Sequence, residues 1–376
     1  MVDKIKVLTI FGTRPEAIKM APLVKEIEKN SDKLQSIVCV TAQHREMLDQ
    51  VLQLFEIKPD FDLDIMKTNQ NLWSLTSEVL LKTKEVIEQV QPDVVLVHGD
   101  TTTSMAAALS AFYAKIPVGH VEAGLRTFDK YYPFPEEINR VFTDSLCTYY
   151  FAPTHKSAEN LKKSLVKEEN IYKTGNTVID ALLYTVKNHQ EEVEGLNLNP
   201  ELKTILLTSH RRENFGEPIK NICKAILEIV GNNKDIEVVY PVHPNPNVKE
   251  PVYELLDNKE RIHLIKPLEY AQFCTLMKKS HLILTDSGGV QEEAPSLGKP
   301  VLVLRDTTER PEAIEYGTVK LVGTDKDNIV KNVQLLLDNE EEYKKMSEAI
   351  NPYGDGLASE RIVEVLRNIK WKTKSL

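Results

Sequence analysis

The stretch KVLTIFGTRPEAIKMAPLVKEIEKN, residues 6–30, contains the pattern that decides the fold. An apolar β-rich run comes first, then a turn with Gly12 and Pro15, and then a segment with Leu23 and Ile27 at helical spacing. A short buried strand followed by an amphipathic helix is the repeating unit of a parallel sheet covered by helices. The stretch therefore predicts an α/β fold.

The same pattern recurs along the chain and predicts two consecutive Rossmann-like, doubly wound domains. A polar, turn-rich interval between Asp180 and Lys203 is the candidate linker. We expect an N-terminal domain over 1–185, a C-terminal domain over 186–356 and a last helix, 357–376, that packs back on the first domain. Ligands of such sheets bind beyond the carboxyl ends of the strands, so a cleft between the domains is expected. The predicted strands span 6–12, 36–42, 93–100, 118–124, 149–153, 204–210, 236–243, 262–267, 281–286, 301–304 and 320–323.

Composition excludes several classes of protein. The 376 residues include 47 Lys and Arg against 56 Asp and Glu, a net charge of −9, which argues against a general nucleic-acid binder. No apolar run reaches the roughly 20 residues needed to span a bilayer, and no signal peptide is evident after Met1. None of the four cysteines forms a Cys-x-x-Cys pair, so we expect reduced thiols, no metal site and a cytoplasmic protein.

The turn after the first predicted strand carries two cations, Arg14 and Lys19. Arg14 would lie near a helix N-terminus, where backbone N–H groups favour anions, so both side chains are candidates for phosphate contact. The alternative is a solvated turn with a surface arginine. The turn lacks a G-x-G-x-x-G pattern, so a dinucleotide cofactor is not expected.

Carboxylates follow the next two long strands of the first half. Asp100 ends one of them, and the alternative is that it only caps the helix that follows. Glu122 ends the other between apolar neighbours, so it needs a partner, and Arg126 is the candidate for a purely structural pair. Glu136 and Glu137 follow two prolines, where acids at a helix start complement the dipole.

Strand ends of the second half carry groups suited to a nucleotide. Two histidines follow neighbouring strands, and a Ser-Gly-Gly turn after a third strand would offer backbone N–H groups to a phosphate. An acid one to two turns further on could accept ribose hydroxyls, the alternative being a capped helix with acids in its first turn. The residues concerned are His210, His243, Ser287, Gly288, Gly289 and Glu293.

A nucleotide held by one domain and several acids supplied by the other suit a sugar nucleotide. Crowded carboxylates raise one another's pKa, which provides both an acid and a base near neutral pH.

Eight motifs along the chain, in the same order, resemble the non-hydrolysing UDP-N-acetylglucosamine 2-epimerases. The resemblance spans essentially the whole sequence. It implies the GT-B architecture, interconversion of UDP-GlcNAc and UDP-ManNAc for surface polysaccharides, a homodimer, and no cofactor or metal. The motifs are FGTRPEAIKMAPL, TAQHREMLDQVL, VHGDTTTS, HVEAGLR, PFPEEINR, HRREN, VHPNP and TDSGGVQEE.

The resemblance also implies roles for individual residues. The catalytic set would be Asp100, Glu122, Glu136 and His210. The nucleotide would be bound by Arg14, Lys19, His243, Phe273, Ser287, Gly288, Gly289 and Glu293. For Phe273, near the uracil in the family, the alternative is a core aromatic.

In some family members a second UDP-GlcNAc activates the enzyme, partly through a Gln-His-Arg-Gln stretch. Here Gln43 and His44 match that stretch, but Glu46 replaces its last glutamine. Asn69 lies in a region where those members carry an arginine. Both departures weaken the expectation of activation.

The expected reaction is elimination of UDP to a 2-acetamidoglucal and re-addition after a proton returns to the other face of C2. The sequence does not assign base and acid among the three carboxylates. A hydrolysing epimerase, an epimerase for a modified sugar, a glycosyltransferase of the same fold and a non-catalytic nucleotide-sugar sensor are the alternatives.

Overall fold

A computed structural model of the chain describes residues 4–42, 45–66 and 70–369, with the side chain of Glu46 outside that description. The chain divides into two compact units. The first runs to Ala181 and resumes at Tyr353, and the second spans Leu182–Pro352. The interval proposed as a linker, 180–203, thus begins inside a helix, because the division falls within Thr177–Asn188.

A seven-stranded parallel sheet, in the order β3-β2-β1-β4-β5-β6-β7, forms the centre of the first unit. Its strands are β1 (Ile5–Phe11), β2 (Leu34–Val40), β3 (Phe61–Asp62), β4 (Val94–His98), β5 (Val118–Val121), β6 (Tyr149–Ala152) and β7 (Ile171–Lys173). Its helices are α1 (Arg14–Lys29), α2 (Arg45–Leu54), α3 (Leu72–Val90), α4 (Thr102–Tyr113), α5 (Glu136–Leu146), α6 (His155–Lys163) and α7 (Thr177–Asn188).

A six-stranded parallel sheet, in the order β10-β9-β8-β11-β12-β13, forms the centre of the second unit. Its strands are β8 (Lys203–Thr208), β9 (Ile236–Pro241), β10 (Ile262–Ile265), β11 (Leu282–Thr285), β12 (Val301–Val303) and β13 (Val319–Leu321). Its helices are α8 (Glu217–Asn232), α9 (Pro246–Leu256), α10 (Tyr270–Lys279), α11 (Gly288–Glu293), α12 (Pro311–Glu315), α13 (Lys326–Asp338) and α14 (Glu340–Ser347).

The prediction of two Rossmann-like α/β domains is confirmed. In both sheets the strand order reverses beside the first strand, as in doubly wound folds. Every predicted strand is present with its ends within three residues. The strands that sequence analysis missed, β3 and β7, are short edge strands of two and three residues.

The last described helix, α15 (Ala358–Asn368), packs against α1 in the first unit. The buried carboxylate of Asp180 accepts hydrogen bonds from the backbone N–H groups of Ala358 and Ser359, at 3.2 and 2.7 Å. Arg367 donates to the side chain of Asn30 at the end of α1. These contacts anchor the returning chain at both ends of α15.

All four cysteines are free thiols, and three of them are buried. Burial raises the pKa of Cys39 and of Cys223 to about 12, so both stay protonated at neutral pH. Over the described part of the chain, no helix combines the length and apolar character needed to cross a membrane.

Candidate active site

The carboxyl ends of β4 and β5 lie side by side, because His98 pairs in register with Val121. Glu122 follows directly, and its backbone is left-handed, with φ of 65°. Residues other than glycine, asparagine and aspartate are uncommon in the left-handed region of φ and ψ, and their surroundings usually hold them there. We therefore expect contacts of the Glu122 side chain to hold this residue in place.

Three segments of the first unit converge on that carboxylate. Lys19 Nζ donates to Oε1 at 2.5 Å, and Asn176 Nδ2 donates to the same oxygen at 2.9 Å. The other oxygen, Oε2, lies 3.4 Å from His98 Nε2. The Glu122 side chain is only 8% exposed, so these partners replace water around the charge. The alternative pairing of Glu122 with Arg126 is wrong, because Arg126 donates to Asp144 instead.

Asp100 is not the cap of α4. Thr101 occupies that position and accepts a hydrogen bond from the Ser104 backbone N–H. The carboxylate of Asp100 pairs with Arg140, a partner on α5 that the sequence analysis did not identify. Asn139 Nδ2 donates to the Asp100 carbonyl oxygen at 3.0 Å. Asp100 is thus held by α5 and is not used for helix capping.

The two glutamates that open α5 have different environments. Glu137 is buried and accepts hydrogen bonds from the backbone N–H groups of Thr127 and Phe128, each at 3.0 Å. Glu136, the first residue of the helix, is partly exposed. Glu137 therefore has a structural role, whereas Glu136 is accessible to a ligand.

The turn before α1 is organised by a buried carboxylate. Glu16 accepts hydrogen bonds from the Gly12 and Thr13 backbone N–H groups and from the Thr101 hydroxyl, at 3.0, 2.8 and 2.6 Å. Burial raises the pKa of Glu16, and these hydrogen bonds oppose the rise. Gly12 is required because an added Cβ would lie 1.9 Å from Thr41 Oγ1. Arg14 follows as the first residue of α1 and is partly exposed.

In the second unit, a fully buried carboxylate organises the loop after β8. Asp286 Oδ2 accepts hydrogen bonds from the His210 and Arg211 backbone N–H groups, at 2.8 and 2.9 Å. It also accepts from the side chains of Ser209 and Asn214, each at 3.0 Å. Its position at the end of β11 is the signal that could have identified Asp286 from sequence.

The two strand-end histidines come together. The rings of His210 and His243 are stacked, with centroids 5.5 Å apart and an interplanar angle of 15°. Partial burial and the charge of His210 lower the pKa of His243, while Asp286 opposes this shift. These effects favour the neutral form of the His243 ring.

The Ser-Gly-Gly turn lies beside two arginines. An added Cβ at Gly288 would meet Arg211 Nη2 at 3.6 Å and Arg310 Nη2 at 3.9 Å, which are ordinary contact distances. Packing within the unit therefore does not require glycine at 288. Cations this close to a glycine turn suit an anionic ligand. The role of Arg310 was not predicted, although it too lies beyond a strand end, after β12.

Glu293 is the last residue of α11, so the alternative of acids in a first helical turn is wrong. Tyr270 Oη donates to Glu293 Oε1 at 2.8 Å, and both side chains are buried. Phe273 lies one helical turn after Tyr270 and is only partly buried.

The candidate allosteric residues Gln43 and His44, as well as Asn69, lie outside the described residues, and so does the side chain of Glu46. Within the described ranges, no three His, Cys, Asp or Glu side chains are grouped to hold a metal ion.

The fold and these groups define a two-domain α/β protein. Its first domain presents a paired, nearly buried glutamate at the strand ends. Its second domain presents histidines, arginines and a glycine turn suited to phosphate.

Comparison with known proteins agrees with this description. The UDP-N-acetylglucosamine 2-epimerase family model matches residues 25–367. A Bacillus subtilis strain 168 relative of that name is 59% identical over 365 residues, covering 97% of this chain and 96% of the relative. The chain belongs to the UDP-N-acetylglucosamine 2-epimerase family.

Solved structures of similar proteins include ligand complexes. The Neisseria meningitidis UDP-GlcNAc 2-epimerase bound to UDP-GlcNAc is 54% identical, with a TM-score of 0.86, and covers 96% of this chain and 99% of its own. A Staphylococcus aureus relative solved with UDP is 48% identical, with a TM-score of 0.84, and covers 99% of this chain and 100% of its own.

The environment of His98 predicts a pH dependence of stability. Burial lowers the pKa of His98 from 6.5 to about 3, and Lys19 and His120 add to that effect against the attraction of Glu122. The unfolded chain therefore binds a proton that the folded chain excludes, and folding loses about 1.4 kcal/mol per pH unit as pH falls below about 6.5. We expect the melting temperature of His98→Gln to fall less steeply than that of the wild type between about pH 6.5 and about pH 4.5.

The matched control is His155→Gln, at an exposed position, which should retain the wild-type slope. Equal slopes for His98→Gln and the wild type would contradict a neutral, buried His98.

Proposed function

We propose that this protein catalyses the reversible C2 epimerisation of UDP-N-acetylglucosamine to UDP-N-acetylmannosamine. The observation that carries the proposal is the Glu122 carboxylate, held at a strand end by Lys19 and Asn176 in a chain of this family. The UDP-GlcNAc bound to the Neisseria relative supports the choice of substrate.

The chemistry requires loss of UDP. The C2 proton of the sugar is not adjacent to a carbonyl group, so it is only weakly acidic. Departure of the diphosphate from C1 develops oxocarbenium character, which makes the C2 proton easier to remove. Loss of that proton gives a 2-acetamidoglucal and UDP. Proton return on the opposite face and re-addition of UDP to C1 give the epimer.

The second unit would stabilise the leaving diphosphate. Preorganised donors are effective where negative charge develops. The Ser287 N–H donates to Thr285 Oγ1, so the proposed donors are Arg211 and Arg310 beside Gly288 together with the backbone of Gly288 and Gly289. His243 and, from the first unit, Arg14 are further candidates for this contact.

The ribose and the base of the nucleoside would be bound with the help of two side chains one turn apart on α10. Tyr270 donates to Glu293 Oε1 and so holds the carboxylate that is proposed to accept ribose hydroxyls. Phe273, on the same helix, would pack against the uracil.

Glu122 is assigned as the base that removes the C2 proton. The Lys19 ammonium balances the charge of its carboxylate, and an ionised carboxylate accepts a proton and cannot donate one. Lys19 and Asn176 donate to Oε1, and Oε2 lies 3.4 Å from His98 Nε2, so the carboxylate proposed as the base is held in one position. Asp100 and Glu136 are the candidates for the acid on the opposite face, and His210 completes the proposed catalytic set.

Incubation with UDP-GlcNAc in D2O tests the reaction. We expect a UDP-sugar product with one deuterium at C2, detected by mass spectrometry and by loss of the C2 proton signal in NMR. Stoichiometric free N-acetylmannosamine and UDP would instead identify a hydrolysing epimerase. Transfer of sugar to an acceptor without C2 exchange would identify a glycosyltransferase, and binding without turnover a sensor.

Glu122→Gln should abolish deuterium incorporation at C2, because the amide cannot accept the proton. UDP affinity, measured by calorimetry, should stay within about threefold of the wild type, since the second unit supplies most of the nucleotide contacts proposed above. Glu364→Gln, at an exposed position on α15, is the control with normal exchange. Normal exchange in Glu122→Gln would remove Glu122 from the chemistry.

We also propose a homodimer formed through α3 and α4. Leu81, Phe112 and Tyr113 are 61%, 53% and 67% exposed, an apolar surface that a second copy would cover. Light scattering should give twice the chain mass of 42.7 kDa. Leu81→Glu with Phe112→Glu should yield the monomer mass, and an unchanged dimer mass would exclude this surface as the interface.

A further inference from the structure

A fully buried histidine, His120 on β5, contacts two acceptors at once. Its Nε2 lies 2.7 Å from the Gly99 carbonyl oxygen, and its Nδ1 lies 2.6 Å from Asp144 Oδ1. A carbonyl oxygen has no proton to donate, so Nε2 must carry one. The Nδ1 contact also needs a proton, which belongs either to His120 or to Asp144.

The surroundings of Asp144 place that proton on the histidine. Arg126 Nη2 donates to the second carboxylate oxygen at 2.6 Å. Burial raises the pKa of Asp144, and the charge and hydrogen bond of Arg126 oppose burial whatever the charge of His120, so the ion pair favours the ionised carboxylate. An ionised Asp144 cannot donate, so both ring nitrogens of His120 are protonated.

The nearby hydroxyl of Tyr150 does not supply the proton shared between His120 and Asp144. Tyr150 Oη donates to the Asp144 backbone carbonyl at 2.8 Å. The titratable and charged groups that face His120 or its partner are His98 on β4, Arg126 after β5, Asp144 and Cys147 on and after α5, and Tyr150 on β6.

The His120 contact fixes the turn that carries Asp100. Gly99 has a φ of 64°, a left-handed conformation that suits glycine. Its N–H donates to the Val121 carbonyl at 2.9 Å, and its carbonyl accepts from His120. Asn139 holds the next carbonyl, that of Asp100. The carbonyl groups of Gly99 and Asp100 are therefore both held by hydrogen bonds, and together they fix the backbone that carries the Asp100 side chain.

We propose that His120 is a doubly protonated positioning residue, which holds the Gly99 carbonyl and thereby sets the position of Asp100. Only the link to Asp100 chemistry rests on the proposed function. The protonation state of the ring is testable without turnover.

The first test is 15N NMR of protein labelled at histidine. The His120 signals are assigned by their loss in His120→Gln. We expect two protonated ring nitrogens with similar shifts at about pH 7, because each ring nitrogen contacts an acceptor. The separated shifts of a neutral ring at that pH would overturn the proposal, even if the wild type proved inactive on UDP-GlcNAc.

The second test compares two variants, each of which keeps one of the two His120 hydrogen bonds. The side-chain amide of His120→Gln can replace Nε2 and still donate to Gly99, whereas that of His120→Asn can replace only Nδ1 and reaches Asp144. We expect kcat to fall about 100-fold in His120→Asn, as misplacement of a catalytic group does, and to fall much less in His120→Gln. KM for UDP-GlcNAc should change little in both.

Melting temperatures separate this role from a purely structural one. Both variants lose the buried charge, so both should melt below the wild type. Equal kcat values in the two folded variants would overturn the positioning role, because a structural residue would not distinguish the retained contact.

Discussion

A carboxylate that is almost removed from water must be paired, and Glu122 is where the first unit meets this requirement. Its partners come from α1, from the end of β4 and from the residue before α7. One of these partners, Lys19, is separated from Glu122 by 103 positions in the chain. The acid can therefore occupy its position only when β1, β4, β5 and β7 take their places in the sheet, so the fold and the proposed chemistry are linked through one side chain.

The second unit uses a buried acid differently. Oδ2 of Asp286 accepts four hydrogen bonds, which organise the loop after β8. That loop then presents Arg211 beside Gly288 and stacks His210 on His243. One unit thus offers a carboxylate and the other offers cations and N–H groups.

Sequence patterns were sufficient for the strands, since a buried parallel strand is a nearly continuous apolar run that ends in polar residues. They also located Glu122 and the glycine turn, because both come directly after such runs. They could not identify Arg140, Asn176 or Tyr270 as partners. These contacts join residues far apart in the chain, and no local spacing encodes them. The capping alternative for Asp100 failed because the next residue, Thr101, meets the same need.

The central claim is that the bond between C1 and the diphosphate breaks and re-forms. Positional isotope exchange tests it directly, with UDP-GlcNAc that carries 18O in the oxygen bridging C1 and the β-phosphorus. The account predicts that 18O spreads to the non-bridging β-phosphate oxygens while the epimer forms, because the released β-phosphate can rotate before re-addition. Epimer formation with all of the 18O retained in the bridge would contradict elimination and re-addition.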